Sequence, residues 1–177
     1  MEGAERFDVM ISQDAIAARV AEMGAQITRD YADRELVLVG VLKGAVMFMA
    51  DLARHVDLAV RMDFLGLSSY GDATQSSGVV RITQDLSHPV GGKDVLVVED
   101  IVDTGLTLRF LIDNLESRQP RSVKVATLLH KPANTVQQVP LDYVGFTVED
   151  RFVVGYGLDF EQRYRNLPYV GVLRPKP

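Results

Sequence analysis

The sequence contains no cysteine. Disulfides, thiolate zinc sites and cysteine nucleophiles are therefore excluded. Its three histidines, His55, His88 and His130, are too scattered along the chain to suggest a metal cluster. Neither G-x-x-x-x-G-K-[ST] nor G-x-G-x-x-G occurs, which removes the P-loop and the dinucleotide fingerprint. The most apolar stretch, LVLVGVLKGAVMFMA, is broken by Lys43 and is too short to span a bilayer. The opening MEGAERFDVM lacks the basic-then-apolar pattern of an export signal, so a cytoplasmic protein with no membrane partner is expected. Positive charge is also in short supply: 19 Lys and Arg stand against 24 Asp and Glu, a net charge of −5. That balance argues against a general nucleic-acid binder, which needs a concentrated basic surface.

What is present is the material of one globular domain. The 177 residues are 47% apolar and 24% charged, enough for a substantial core. Ile16, Val20, Met23, Ile27 and Tyr31 recur at helical spacing, with Ser12 as the expected N-cap and Asp14 in the first turn. ELVLVGVL (35–42) is a nearly continuous apolar run, the pattern of a strand buried on both faces. A second helix is expected in GAVMFMADLARHV, where Ala45, Phe48, Met49 and Leu52 share a face, and a strand over 58–67. The polar, glycine-rich stretch that follows holds one strand-like piece, VVRIT. Strand 94–99, a helix aligning Leu108, Leu111 and Leu115, and strand 122–129 come next. Strand alternating with helix from about 10 to 130 predicts an α/β fold with a central, mainly parallel sheet flanked by helices. Short strand-like pieces, YVGFTV and YVGVL, occupy the tail, with no internal repeat and no second core.

One stretch does not follow from packing. In VLVVEDIVDTGLTL (95–108) an apolar strand runs into Glu99 and Asp100, then Asp103, Thr104, Gly105 and Thr107. Adjacent carboxylates repel each other and gain nothing from apolar neighbours, so a ligand is the better explanation. In open α/β sheets ligands bind at the carboxyl ends of strands. The turn from Asp103 to Thr107, entering a helix, offers backbone N–H groups, threonine hydroxyls and a glycine that permits close approach: a cup for a phosphate. The two acids then face something that is not an anion. Paired sugar hydroxyls fit, as does positive charge developing on a ribose carbon. A lone Asp-Thr-Gly would be no more than a helix cap; the contiguous run reads as a ribose-5-phosphate site.

On these residues the stretch resembles the phosphoribosyl pyrophosphate (PRPP) motif of type I phosphoribosyltransferases. From about residue 8 to 173 the chain is similar to the short bacterial hypoxanthine-guanine phosphoribosyltransferases. The resemblance implies that family's fold, with the helix-flanked sheet (about 10–135) under a small hood formed by 136–177 and the N-terminal segment. It implies transfer of phosphoribose from PRPP to hypoxanthine or guanine with Mg²⁺, in a homodimer or homotetramer.

Glu99 and Asp100 match the ribose contacts, and Asp103, Thr104, Gly105, Leu106 and Thr107 the 5′-phosphate loop, with Asp103 as the catalytic base. Leu106 departs from relatives that carry lysine there, which leaves the backbone cup intact. Lys43 and Gly44, opening a helix after a strand, match the pyrophosphate loop, whose peptide before the lysine is often cis, and Arg165 a further pyrophosphate contact. Ser69 and Tyr70 match a catalytic lid over about 66–84. Lys131 matches the donor to the purine 6-oxo group, Phe152 the stacking aromatic, and Val153 the backbone reader of the base edge. Asp159 matches a carboxylate linked to magnesium in the purine site, and Glu99, Asp100 and Asp159 together form the implied metal set. FVVGYGLDF followed by Arg separates the purine enzymes from the pyrimidine ones. Two alternatives stay open at this point: a xanthine-preferring transferase, and a uracil-linked RNA-binding regulator of the same fold. The acidic balance counts against the second.

Overall fold

The computed structural model describes residues 7–69 and 80–174. The first strand, β1 (Phe7–Ile11), leads into helix α1 (Gln13–Asp30). Ser12 is extended at the junction, and its hydroxyl accepts a hydrogen bond from the Ala15 N–H at 3.2 Å, as its N-cap role requires. Strand β2 (Leu36–Leu42) and helix α2 (Val46–His55) follow, then β3 (Arg61–Ser69) and β4 (Val80–Gln84). β5 (Asp94–Val102), α3 (Leu106–Glu116) and β6 (Ser122–His130) complete the alternating part, and a 3-10 turn (Pro132–Asn134) leads to β7 (Tyr143–Thr147).

These strands form a six-stranded sheet in the order β4-β3-β2-β5-β6-β7, parallel except for β4 on the edge. Side chains alternate between the two faces of a strand, so the continuous apolar runs split cleanly. Leu36, Leu38, Leu96, Val98, Ala126 and Leu128 pack beneath α1 and α2. Val37, Val39, Val41, Val95, Val97 and Val125 pack with Leu108, Leu111, Ile112 and Leu115 of α3 on the opposite side. The core is thus two layers of aliphatic contact with the sheet between them.

Two short strands near the C-terminus, β8 (Val153–Val154) and β9 (Val170–Leu173), join β1 in a separate antiparallel sheet ordered β1-β9-β8. The first and last strands therefore meet in one small layer. Within the 136–177 segment grouped above with this hood, β7 takes another course. It adds to the large sheet next to β6, in the register Ala126↔Tyr143 to His130↔Thr147, and buries Tyr143 in the α1–α2 core.

β5 also runs further than its apolar letters suggest. It continues through both acids to Val102 because β6 is long enough to pair with it, from Asp94↔Ser122 to Val102↔His130. Among the described residues no helix is long and apolar enough to cross a membrane.

Candidate active site

Glu99 and Asp100 occupy the carboxyl end of β5, with Glu99 buried and Asp100 partly so. Burial pushes both carboxyls up. It raises Asp100 from the usual value of 3.8 to about 6, although the Ile101 N–H and the Arg165 charge pull the other way. Glu99 is held well above the usual carboxylate range, by burial first and by the charge of Asp100 second. A sheet core has no use for such a pair. Together they form an acidic floor to a cavity of about 310 Å³.

The opposite wall of that cavity is the loop from Asp103 to Thr107. Gly105 is the N-cap of α3 with φ +81, a conformation that L side chains rarely adopt. A Cβ there would also lie 2.2 Å from the Gln137 carbonyl oxygen, so glycine is demanded twice. The loop is held from behind, where the Thr104 carbonyl accepts the N–H groups of Val136 (3.0 Å) and Gln137 (2.9 Å). The first turn of a helix offers backbone N–H groups to an anion, and α3 begins at this loop. Among the described residues Asp103 Oδ1 is buried with no hydrogen-bond partner, an uncommon arrangement shared only with the Tyr31 hydroxyl. Leu67, Ser68 and Val80, at the base of the β3–β4 hairpin, close a further side. Ser69 ends β3; Tyr70 lies outside the described residues.

Lys43 and Gly44 form the turn between β2 and α2, and the Leu42–Lys43 peptide is cis. A Cβ on Gly44 would fall 1.7 Å from Asp100 Oδ2. Only glycine lets this loop lie against the acidic floor. On its other side Gly157 (φ +101) approaches so closely that a Cβ would stand 1.9 Å from the Gly44 carbonyl oxygen. Three layers are therefore stacked without gaps: strand end, β2–α2 loop and C-terminal loop. The C-terminal loop carries Asp159 and Arg165, ion-paired at 2.7 Å. Arg165 also donates to the Gly157 carbonyl at 2.7 Å. Lys43 Nζ (3.4 Å) and Arg165 Nη2 (3.2 Å) share one acceptor, Gln162 Oε1.

Lys131 follows β6, buried, with its N–H on the Val102 carbonyl at 2.9 Å. Its ammonium lies 3.5 Å from the Asp150 carboxylate. Phe152 is 54% exposed and meets the ring of Phe160 edge-on, with centroids 5.6 Å apart. Val153 is buried in β8 opposite Val172.

Residues 10–161 match the model of the phosphoribosyl transferase domain family. Over 167 residues the chain is 51% identical to a hypoxanthine-guanine phosphoribosyltransferase from Bacillus subtilis, covering 94% of this chain and 93% of that one. The chain belongs to the hypoxanthine-guanine phosphoribosyltransferase family. A bifunctional protein, TilS/HprT, from Listeria monocytogenes is also 51% identical, across 95% of this chain but 26% of its own length. Among solved structures, a hypoxanthine phosphoribosyltransferase from Staphylococcus aureus superposes with a TM-score of 0.92. It is 45% identical and covers 95% of this chain and 91% of that one. The helix-flanked, mainly parallel sheet is accordingly the type I phosphoribosyltransferase fold.

In this phosphoribosyltransferase the residues singled out in the sequence form two groups. Glu99, Asp100, Asp103, Thr104, Gly105 and Thr107 share one cavity, and Lys43, Gly44, Asp159 and Arg165 lie together directly against Asp100. Leu106, the first residue of α3, is absent from the cavity lining; its N–H points to Thr104 Oγ1 at 3.5 Å. Lys131, Phe152 and Val153 do not line the cavity either. Among the described residues no three acidic or histidine side chains converge to hold a metal, and Asp159 is ion-paired with Arg165. The structure adds Gln162, Asp150 and Phe160 to these groups. No spacing rule finds Gln162: it reaches Lys43 because Glu161 and Gln162 both take positive φ, at 51° and 62°. Phe160 is visible in the sequence only as one more aromatic beside Asp159.

Proposed function

We infer that the chain transfers the 5-phosphoribosyl group of PRPP to N9 of a 6-oxopurine, hypoxanthine or guanine, giving the nucleotide and pyrophosphate. One observation carries this reading above the others. A carboxylate pair, Glu99 buried and Asp100 partly so, adjoins a glycine-cornered phosphate loop on one side and a lysine–glycine loop on the other. That is the order of a sugar flanked by its 5′-phosphate and its 1-pyrophosphate.

In the proposed reaction the C1–O bond to pyrophosphate breaks, the C1–N9 bond forms, and the proton on N7 leaves. Glu99 and Asp100 accept the ribose hydroxyls and stabilise the positive charge as it develops on the sugar. Thr104, Gly105, Leu106 and Thr107 hold the 5′-phosphate through backbone N–H groups and hydroxyls. Asp103 takes the N7 proton, a role supported by its unpartnered buried Oδ1. Lys43, Gly44 and Arg165 receive the departing pyrophosphate. Lys131 donates to the 6-oxo group and so disfavours adenine, which offers no acceptor there. Phe152 presents an exposed ring for stacking, and the Val153 backbone reads the base edge. The lid expected over about 66–84, with Ser69 and Tyr70, lies for residues 70–79 outside the described residues.

Mg²⁺ suits the donors present, since Glu99, Asp100 and Asp159 are hard oxygen ligands. When bound, it neutralises pyrophosphate and makes it a better leaving group. The enzyme acts as a single domain in a homodimer or homotetramer in the cytoplasm. The test is nucleotide formation from PRPP and Mg²⁺ with hypoxanthine, guanine, xanthine, adenine and uracil offered separately. Turnover of hypoxanthine or guanine with adenine and uracil inert is expected. Turnover of uracil alone, or of no base despite PRPP binding, would overturn the reading, and preferred turnover of xanthine would revise the base.

A further inference from the structure

Tyr156 sits between Gly155 and Gly157, and all three residues have positive φ: 95°, 49° and 101°. For a tyrosine that backbone is unusual and must be held in place by its surroundings. The ring is buried, and its hydroxyl donates to Asp51 Oδ2 at 2.6 Å. Asp51 belongs to α2, the helix that grows directly from the Lys43–Gly44 loop. The first bonds of that run, Ala45 N–H to Val41 O (3.2 Å) and Met49 N–H to Ala45 O (2.8 Å), make loop and helix one rigid piece.

Tyr156 is just as firmly part of the C-terminal loop. Its N–H donates to Leu167 O at 2.8 Å, and the Gly157 N–H donates to Arg165 O at 2.9 Å. The phenol–carboxylate bond therefore ties together two bodies that also meet through Gly157 against Gly44, the shared acceptor Gln162, and the core that Tyr156 and Leu158 share with Phe48, Met49 and Leu52. Neither Tyr156 nor Asp51 lines the cavity that holds Glu99, Asp100 and Asp103. Both line a separate hollow of about 380 Å³ behind Arg165. Burial pushes the Tyr156 phenol up, and the Asp51 carboxylate pushes it further, so the donor stays protonated.

We propose that Tyr156 and Asp51 are a positioning pair: their hydrogen bond holds Arg165 and Asp159 over the Lys43–Gly44 loop and thereby sets affinity for the pyrophosphate end of PRPP and for product pyrophosphate. The proposal rests on the reading that pyrophosphate lies at Lys43, Gly44 and Arg165. A merely structural bond would lower thermal stability and weaken both substrates alike. A positioning bond weakens one end of one substrate.

The test is steady-state kinetics on the intact enzyme together with calorimetric titration of Mg²⁺-pyrophosphate. In Tyr156→Phe the PRPP KM and the pyrophosphate Kd rise about ten-fold, the size of a lost hydrogen bond to a charged acceptor. The hypoxanthine KM stays unchanged. Asp51→Ala reproduces the effect at a side chain that is 45% exposed. Asp51→Asn, which keeps an acceptor, restores most of the affinity. Tyr156→Phe combined with Asp51→Ala is no worse than either alone, as a shared bond requires. A PRPP KM and pyrophosphate Kd within two-fold of the parent in Asp51→Ala, or a hypoxanthine KM rising in step, would overturn the pair. Arg165→Gln separates the two failures. If it leaves pyrophosphate binding intact, the placement of pyrophosphate is wrong. If it weakens binding while Asp51→Ala does not, the placement stands and the positioning pair falls.

Discussion

Replacing Gly44 with alanine tests whether the stack at the strand end sets the rate. The new Cβ would lie 1.7 Å from Asp100 Oδ2 and 2.5 Å from its Cγ. Comfortable non-bonded contact needs about 3.5 Å, so the groups must part by roughly 1.5 to 2 Å. The Asp100 carboxylate can rotate, which surrenders its 2.8 Å bond from the Ile101 N–H. Alternatively the loop lifts, which carries Lys43 away and drives the Gly44 carbonyl into Gly157. Overpacking of this kind costs about 1–3 kcal/mol of stability, or a few degrees in Tm per kcal/mol for a chain of this size. Either movement displaces by more than an ångström a group proposed to contact PRPP, for which a loss of about 10²-fold in kcat/KM is expected. The assay is initial-rate kinetics with varied PRPP alongside thermal melts. Gly92→Ala is the control: φ there is +73, but nothing lies within 4 Å of the new Cβ. It should lose about 1 kcal/mol of stability and no activity. A folded Gly44→Ala enzyme within three-fold of the parent kcat/KM would refute the argument that close approach to Asp100 matters.

Three further outcomes are expected. Asp103→Asn lowers kcat by about 10²–10⁴ in single-turnover assays with little change in Tm, since Oδ1 has no partner to lose; near-normal turnover would remove Asp103 as the base. Asp100, raised to about 6 chiefly by burial, binds its proton more tightly folded than unfolded, so its contribution to the stability of the empty protein is lost as pH rises from about 4 through about 6. Asp100→Asn should therefore gain Tm relative to the parent above pH 6 while losing activity, and a Tm difference that does not grow between pH 4 and 7.5 would contradict the shift. Lys131→Gln should raise the hypoxanthine KM about ten-fold, the scale of a charge-assisted hydrogen bond, with PRPP kinetics unaltered; unchanged hypoxanthine kinetics would remove Lys131 from base recognition.

Much of this protein is legible in its letters because the relevant physics is local. A strand covered on both faces must be apolar at every position, so Leu36–Leu42 and the start of β5 announce themselves. Ser12 caps α1 through a bond only three residues long. The acids, the hydroxyls and the glycine of the phosphate loop follow one another without interruption, so a single stretch from Val95 to Leu108 carries the chemistry by itself.

What the sequence left open depends on distance in the chain. Phe7 pairs with Leu173 because the first and last strands meet in one small layer, and no periodicity encodes that meeting. β7 looks like part of the hood until the parallel register with β6 draws it into the large sheet. The contacts that assemble the site are of the same kind: Gly44 against Asp100, Gly157 against Gly44, Gln162 between Lys43 and Arg165, Tyr156 on Asp51. Each joins loops whose separation is fixed by the sheet order and the crossovers between strands. The sequence determined by itself which residues are the candidates to bear the chemistry, since a motif needs only neighbours. Tertiary structure alone decided how close they come, since loop-to-loop distances are set by the packed sheet and helices beneath them.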